Sequence, residues 1–191
     1  MTEKEKRDQG LLYDGNYDRE LMDERIFCKE MCGEYNQTKY SDFENRKRLI
    51  KRIIKITKEN VLIEQPFWCD YGYNIELGEN FYANHNLVIL DVAKVTFGDN
   101  VFIGPNCGFY TAGHPADIQQ RNKGLEYAYP ISVGDNVWIG GNVVVLPGVK
   151  IGNNSIIGAG SVVNKNIPDN TIAVGNPCKV VKKIIEKEQN K

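Results

Sequence analysis

The sequence predicts a parallel β-helix built from six-residue repeats. A recurring Gly-acid/Asn-Asn phrase and two apolar columns with a period of six support this prediction. A single six-residue unit is also too short to bury its own apolar face, so the units must coil and stack. The phrase recurs as Gly78-Glu79-Asn80, Gly98-Asp99-Asn100, Gly134-Asp135-Asn136 and Gly152-Asn153-Asn154.

The apolar columns predict which side chains form the core. Residues two apart on a strand face the same side, so two columns offset by two residues should point into one interior. A sandwich of alternating strands would explain neither the fixed period nor the Gly-x-Asn phrase. The first column is Leu77, Ala83, Ile89, Phe97, Ile103, Phe109, Val133, Ile139, Val145, Ile151, Ile157 and Val163, and the second is Ile75, Phe81, Leu87, Val95, Val101, Cys107, Ile131, Val137, Val143, Val149, Ser155 and Ser161.

Two breaks in the period mark insertions. The step from Ile89 to Phe97 is eight residues, and the step from Phe109 to Val133 is 24. The stretch 110–130 lacks the apolar columns and is long and polar, as functional loops often are. We therefore expect a β-helix over 61–177 that carries a functional loop at 110–130.

Segments with other patterns flank the repeats. Residues 1–60 form an N-terminal segment in which helical spacing is seen between 18 and 57, with Cys28, Cys32 and Tyr35 on one face. Residues 178–191 form a lysine-rich C-terminal tail, in which Val180, Val181, Ile184 and Ile185 favour a short docked helix. The N-terminal helices should pack on the β-helix.

Composition restricts the partners and the compartment. The 191 residues carry 24 basic and 25 acidic side chains, a net charge of -1, which gives no reason to expect nucleic acid or a membrane surface. No secretory signal or run of ~20 apolar residues is present, so a cytoplasmic protein is expected. The five cysteines form no CxxC pair, which predicts reduced thiols. Cys28 and Cys32 lie one helical turn apart, but without a second ligand pair no metal is expected there.

The chain has only two histidines, and they differ in their setting. His114 lies where the chain leaves the repeats for the loop, and a loop histidine on a rigid scaffold suits proton transfer near neutral pH. His85 lies inside the repeats, where a structural role is the more common one. His114 is the candidate catalytic residue.

Several motifs resemble the maltose/galactoside O-acetyltransferase family. That resemblance covers almost the whole chain and implies a left-handed β-helix whose homotrimers hold active sites between subunits. It also implies acetyl-CoA as donor and the 6-hydroxyl of a glucosyl, maltosyl or galactosyl unit as acceptor, with no metal required. The motifs are Tyr13-Asp14, the segment from Asp18 to Asn36, Cys69-Asp70-Tyr71-Gly72-Tyr73-Asn74-Ile75, Phe81-Tyr82-Ala83-Asn84, Ile89-Leu90-Asp91-Val92, Thr111-Ala112-Gly113-His114-Pro115, Gly124-Leu125-Glu126-Tyr127 and Val174-Gly175-Asn176-Pro177.

The resemblance also assigns roles by position. It makes His114 the general base, and places Asn84 against the acceptor hydroxyl. The acceptor would further contact Asp14, Asp70, Tyr82, Asp91 and Glu126. The donor groove would contain Trp138, Gly141, Ala159, Asn164, Lys165, Lys179 and Lys182. The family often has Thr at position 164 and Arg at 179 and 182, and Lys lacks the two-pronged guanidinium of Arg.

Two other classes of function remain open from the sequence. A zinc carbonic anhydrase of the β-helix type needs three protein ligands, usually histidines, and the chain has two. A non-catalytic β-helix serving as a binding or assembly module would leave His114, Asp70 and Glu126 without a task. Acyl transfer uses them: attack on a thioester needs a base for the hydroxyl proton and donors for the oxyanion.

Overall fold

The computed structural model describes residues 1–185, in which helices precede a parallel β-helix. No helix in this described part of the chain is long and apolar enough to cross a membrane. The helices are α1 (Glu3–Asp8), α2 (Arg19–Gln37), α3 (Phe43–Ile53) and α4 (Ile118–Asn122).

Three sheets of parallel strands form the faces of the β-helix, and the chain visits them in a fixed order on successive coils. Face 1 contains β2 (Ile56–Thr57), β5 (Ile75–Leu77), β8 (Val95–Phe97), β13 (Ile131–Val133) and β16 (Lys150–Ile151). Face 2 contains β3 (Val61–Ile63), β6 (Phe81–Ala83), β9 (Phe102–Ile103), β14 (Trp138–Ile139), β17 (Ile156–Ile157) and β19 (Thr171–Val174). Face 3 contains β4 (Phe67–Cys69), β7 (Leu87–Leu90), β10 (Gly108–Tyr110), β15 (Val144–Val145) and β18 (Val162–Val163).

The interior confirms the predicted apolar columns, because every residue of both columns is buried. Stacked coils align these residues in register: Leu77 pairs with Phe97 and Phe97 with Val133. The rings of Phe81 and Phe109 meet Phe97 edge-on, with centroids 5.1 and 5.0 Å away. The six-residue period is therefore sufficient to identify these core residues from the sequence.

The repeated Gly-x-Asn phrase forms the corner between face 1 and face 2. Its asparagines adopt positive φ, and each side-chain amide donates to the Oδ1 of the next asparagine at 2.9–3.1 Å. A Cβ on Gly78 would lie 2.2 Å from the Gly98 carbonyl oxygen, so that close approach requires glycine. The ladder runs through Asn60, Asn80, Asn100, Asn136, Asn154 and Asn170.

The N-terminal helices cover the first coils. Ile50 and Ile53 of α3, and Cys28, Cys32 and Tyr35 of α2, are buried in the same core as the strands. Buried Arg46 of α3 pairs with Glu64 at 2.8 Å. These contacts fix α2 and α3 against the first strands of the β-helix.

The long insertion at 110–130 contains secondary structure of its own. It holds β11 (Ala112–Gly113), α4 and β12 (Leu125–Ala128), and β12 pairs antiparallel with both β11 and the N-terminal strand β1 (Tyr13–Asp14). Buried Thr111 anchors its start by donating to the Leu90 carbonyl at 2.6 Å. The insertion is thus tied to the N-terminus and to the neighbouring coil.

The prediction of a short C-terminal helix is wrong for the described residues. Lys179–Lys183 form β20, which pairs antiparallel with β19 at the end of face 2. The β-branched Val180 and Val181 suit a strand, and the open edge of β19 supplies hydrogen-bond partners that a helix would not use. All five residues of β20 are exposed, and residues 186–191 lie outside the described part of the chain.

Candidate active site

Most of the predicted acceptor residues collect at one corner of the β-helix, where the chain leaves face 3. We call it the loop corner; it comprises residues 70–74, 91–94, 111–130, 146–149 and 164–166. Asp70 follows β4, Asp91 follows β7, and the insertion after β10 carries His114 and Glu126. Asp14 joins them because β1 pairs with β12, with Asp14 opposite Leu125.

Asp91 is fully buried and holds Asp70 in place. Its Oδ1 accepts hydrogen bonds from the backbone N–H groups of Asp70 and Tyr71, both at 2.9 Å, while its Oδ2 has no hydrogen-bond partner among residues 1–185. Burial raises the pKa of Asp91 to about 6, although the hydrogen bond from Tyr71 N–H acts in the opposite direction. In the single chain, Asp91 acts through the backbone of Asp70.

Both positive and negative side chains act on the Asp70 carboxyl group. Burial raises its pKa, while the positive charges of Lys29 and Arg25 on α2 lower it; the negative charge of Glu126 adds a further raising effect. Asp70 and Glu126 are therefore close enough to repel each other. Two carboxylates beside two cations suit a ligand that donates several hydrogen bonds.

Glu126 receives hydrogen bonds on both oxygens. The Tyr13 hydroxyl donates to Oε2 at 2.6 Å, and the Asn16 amide donates to Oε1 at 3.1 Å. Burial, then the hydrogen bond to Glu126, raises the pKa of Tyr13 above its usual range, so that hydroxyl remains a donor. Beside it, Asp14 Oδ1 accepts from the backbone N–H groups of Asn16 and Tyr17 at 3.1 and 2.9 Å and closes the turn that positions Asn16.

His114 is exposed and held by one contact. Its Nδ1 lies 3.0 Å from the Leu125 carbonyl oxygen, one residue before Glu126. A carbonyl can only accept, so in the neutral ring Nδ1 carries the hydrogen and Nε2 carries the lone pair. A Cβ on the preceding Gly113 would lie 2.5 Å from the Tyr127 ring, so glycine lets β11 approach β12 and bring His114 to Leu125.

Asn84 lies at a different corner, which we call the far corner, and Tyr82 lies next to that corner on face 2. The far corner joins face 2 to face 3 and comprises residues 84–86, 104–106, 140–142 and 158–160. Asn84 Oδ1 accepts from the His85 N–H at 2.7 Å, and Tyr82 lines a surface groove of about 410 Å³ with Phe43 and Phe102. The two corners lie at opposite ends of the face 3 strands, so one chain does not bring Asn84 to His114.

His85 shares the far corner with Asn84. Its Nδ1 lies 2.6 Å from the Gln65 carbonyl oxygen, and its ring meets Tyr40 edge-on with centroids 6.3 Å apart. Because His85 and His114 occupy different corners, the chain's two histidines do not form a common zinc site of the carbonic anhydrase kind.

The predicted donor residues also divide between the corners. Trp138 lies on face 2, 57% exposed, between Phe102 and Ile156 of the neighbouring coils. Gly141 and Ala159 follow at the far corner, and β20 carries Lys179 and Lys182 along the end of face 2. Asn164 and Lys165 lie exposed at the loop corner of the last coils.

Comparison with known proteins decides the family. A model described as the maltose acetyltransferase hexapeptide capping motif matches residues 6–57, and one described as bacterial transferase hexapeptide (six repeats) matches residues 130–165. Galactoside O-acetyltransferase of Escherichia coli (strain K12) is 45% identical over 170 residues, 89% of this chain and 84% of that protein. The chain belongs to the maltose/galactoside O-acetyltransferase family.

Solved maltose/galactoside O-acetyltransferases share its architecture. A maltose O-acetyltransferase from Clostridium difficile 630 is 51% identical, with a TM-score of 0.94 over 97% of this chain and 99% of that chain. A galactoside acetyltransferase solved in complex with coenzyme A is 44% identical, with a TM-score of 0.94 over 97% of this chain and 92% of that chain. These relatives confirm the predicted fold class and identify the protein as an acyltransferase of this family.

Three contacts at the site are not evident from the sequence. Tyr13 belongs to a motif that gives it no role of its own, and Asn16 carries no sequence signal at all, yet both hold Glu126. Cys69 is distant in sequence from the other cysteines, but it lies against Cys28 and Cys32. Each of these contacts joins residues far apart in sequence, which a local pattern does not reveal.

Proposed function

We propose that the protein transfers the acetyl group of acetyl-CoA to a sugar hydroxyl, the 6-hydroxyl of a glucosyl, maltosyl or galactosyl unit. The observation that carries this proposal is the hydrogen bond from His114 Nδ1 to the Leu125 carbonyl, because it leaves the lone pair of Nε2 to accept a proton. The relative solved with coenzyme A supports the choice of donor.

His114 acts as the general base. Its Nε2 takes the proton of the sugar hydroxyl as the hydroxyl oxygen attacks the thioester carbonyl carbon. The tetrahedral intermediate then collapses, the carbon–sulfur bond breaks, and the CoA thiolate takes the proton from the imidazolium. The products are the sugar acetate and free CoA thiol, and no covalent enzyme intermediate is needed.

The carboxylates of the loop corner suit a sugar. Asp70 and Glu126 accept hydrogen bonds from vicinal hydroxyls, and Asp91 fixes the backbone of Asp70. Tyr13 and Asn16 hold the Glu126 carboxylate in one orientation, which lowers the entropic cost of binding. A primary hydroxyl such as O6 reaches furthest from the ring and can approach Nε2 while the other hydroxyls are held.

The proposed donor groove combines exposed apolar surface with positively charged side chains. The exposed Trp138 ring offers an apolar platform, and the small residues Gly141 and Ala159 leave room for the pantetheine arm. Lys165, Lys179 and Lys182 neutralise the nucleotide phosphates.

The complete site needs a second copy of the chain. His114 and the carboxylates belong to the loop corner, whereas Asn84, Gly141 and Ala159 belong to the far corner. If the loop corner of one subunit meets the far corner of its neighbour, both halves face one cleft, and a head-to-tail contact of this kind can close into a ring, which the family resemblance sets at three subunits. We therefore include a homotrimer in the proposal.

A thiol-release assay tests the function. Purified protein with acetyl-CoA should release CoA thiol faster in the presence of glucose, maltose or a galactoside than in buffer alone. The matched control is the 6-deoxy analogue of the best sugar, which should give no acetylation, and mass spectrometry should find the acetyl ester on O6. Absence of release above the buffer rate with the whole panel would contradict the proposal, and equal acetylation of the 6-deoxy sugar would contradict the 6-hydroxyl assignment.

A further inference from the structure

Three buried thiols meet behind the acceptor carboxylates. Cys28 and Cys32 lie one turn apart on α2, and Cys69 ends β4, where α2 covers the first coil. The Sγ atoms of Cys28 and Cys32 lie 3.5 and 3.8 Å from the Sγ atom of Cys69, and all three sulfurs lie within 4.8 Å of one another. The cysteines are reduced and at most 4% exposed.

These distances match a metal–thiolate set. A metal–sulfur bond of about 2.3 Å in a trigonal arrangement places the sulfurs about 4.0 Å apart. The Cys28–Cys69 and Cys32–Cys69 sulfur separations are shorter than that value, at 3.5 and 3.8 Å, and the sulfurs of Cys28 and Cys32 lie within 4.8 Å of each other, so an ion requires small shifts of the side chains. Thiols that only filled apolar space would not need to converge on one point.

The ligand number indicates the class of ion. Within residues 1–185, no further Cys, His, Asp or Glu donor atom joins the three sulfurs in the same 4.8 Å group. Zn²⁺ is held by four ligands in structural sites, whereas soft thiolate ligands also select Cu(I). A set of three sulfurs therefore favours Cu(I).

Asp91 lies at the same end of face 3 as the three thiols but is not one of the metal-ligating group. Asp91 is fully buried, and within the described part of the chain its Oδ2 has no hydrogen-bond partner. Its Oδ1 binds the N–H of Asp70, the residue directly after Cys69. Binding of Cu(I) as three thiolates releases three protons and leaves the site more negative by two charges, so the ion does not offset the charge of Asp91, and the proposal rests on the three sulfurs.

We propose that Cys28, Cys32 and Cys69 form a trigonal binding site for one Cu(I) ion. The ion is not part of acetyl transfer: no proposed catalytic atom coordinates it, and the site stands whether or not the sugar assignment is correct. The chain therefore carries a soft-metal site on the inner side of its acceptor corner.

Cu(I) titration of the whole protein under anaerobic conditions, against a competing chromophoric chelator, tests the proposal. One equivalent per chain should bind, and X-ray absorption of the wild-type complex should show a shell of sulfur only, at about 2.3 Å. Binding through nitrogen or oxygen, or no binding in competition with the chelator, would overturn the proposal without any variant being made.

Matched cysteine variants locate the site. Cys28→Ser, Cys32→Ser and Cys69→Ser should each weaken Cu(I) binding by more than the roughly 10–100-fold that loss of an outer-shell partner costs a metal site. Cys107→Ser and Cys178→Ser are the controls, since both thiols are buried outside the cluster, and they should bind as the wild type does. Cys→Ala at the same three positions, with thermal unfolding recorded for each, separates loss of ligand from loss of fold. Equal losses in the control variants would overturn the assignment.

Discussion

The hydroxyl of Tyr13 donates to Glu126 Oε2 across 2.6 Å and joins residues 113 positions apart in sequence. This hydrogen bond ties the N-terminal strand to the insertion that follows β10. It also fixes the carboxylate on which acceptor binding is proposed to depend.

Tyr13→Phe should therefore impair acceptor use selectively. Loss of a hydrogen bond to a charged group costs about 1.5–3 kcal/mol, so kcat/KM for the sugar should fall by roughly tenfold to a hundredfold. The KM for acetyl-CoA should hardly change. Tyr17→Phe is the control, because Tyr17 is 74% exposed. An equal loss toward both substrates would assign Tyr13 to overall folding instead.

His114→Ala should lower kcat by roughly 10²–10⁴, the usual contribution of a positioned general base. The wild-type rate should fall in acid, because a protonated imidazole cannot accept the hydroxyl proton, and this acid limb should disappear in the variant. Stopped assays across pH provide the measurement. His85→Ala is the matched control, since His85 makes the same kind of Nδ1-to-carbonyl contact at the far corner. A collapse of activity in His85→Ala, with near-normal turnover in His114→Ala, would make His85 the base instead.

Asp91 should make the fold more stable as the solution becomes more acidic. Its pKa is about 6 in the folded chain and near 3.8 when exposed, so between these values the folded state holds a proton that the unfolded state has lost. Stability should thus rise by up to about 3 kcal/mol as pH falls from 7 to 4, relative to Asp91→Asn. Denaturant unfolding of both proteins across this range measures the difference. Parallel curves would mean that the carboxyl group is solvated.

Charge removal at Lys165, Lys179 and Lys182 should weaken acetyl-CoA binding. Their attraction to the nucleotide phosphates is screened within ~8 Å at physiological ionic strength, so the KM for acetyl-CoA should rise with salt in the wild type. In the triple Lys→Gln variant the KM should be high and nearly independent of salt. Lys47→Gln and Lys51→Gln are the controls, since both lysines pair with Glu59 beside the N-terminal helices.

Complementation should reveal sites shared between subunits. His114→Ala and Asn84→Ala proteins should each be nearly inactive, but unfolding and refolding them together should restore about one quarter of the wild-type sites, because mixed trimers contain clefts with both halves intact. Light scattering should show a trimer throughout. No recovery in verified mixed trimers would place both residues in one subunit's site, and a monomer would contradict the shared cleft.

The parts of the molecule that repeat are predictable from the sequence. Each coil presents its two core positions with the same spacing, so the six-residue period alone aligns Leu77, Phe97 and Val133 as they pair in the fold. The same holds for the asparagines that follow Asn60 in the corner ladder, whose positive φ few other residues tolerate. Local rules are sufficient because each coil packs on the one before it.

Local sequence patterns do not predict contacts between segments that are far apart in the sequence. The pairing of Tyr13 with Glu126, and the approach of Cys69 to α2, depend on how the N-terminal segment folds back over the coils. The helix prediction for the C-terminal segment is wrong for a related reason: Val180 and Val181 fit a helix face or a strand, and the free edge of β19 decides between them. That edge exists only once the β-helix has formed.

Each coil of a β-helix offers an edge on which another coil could stack. In this protein, β20 occupies the edge of the last strand of face 2. A parallel edge such as Thr171–Val174 could accept a strand from another molecule, so bare solenoid ends can join into fibres. By running antiparallel along that edge, β20 breaks the register that a further coil would need, and its exposed Lys179, Lys182 and Lys183 repel an identical end. The segment therefore closes the end of face 2 against the addition of a further parallel strand in the register of the coils.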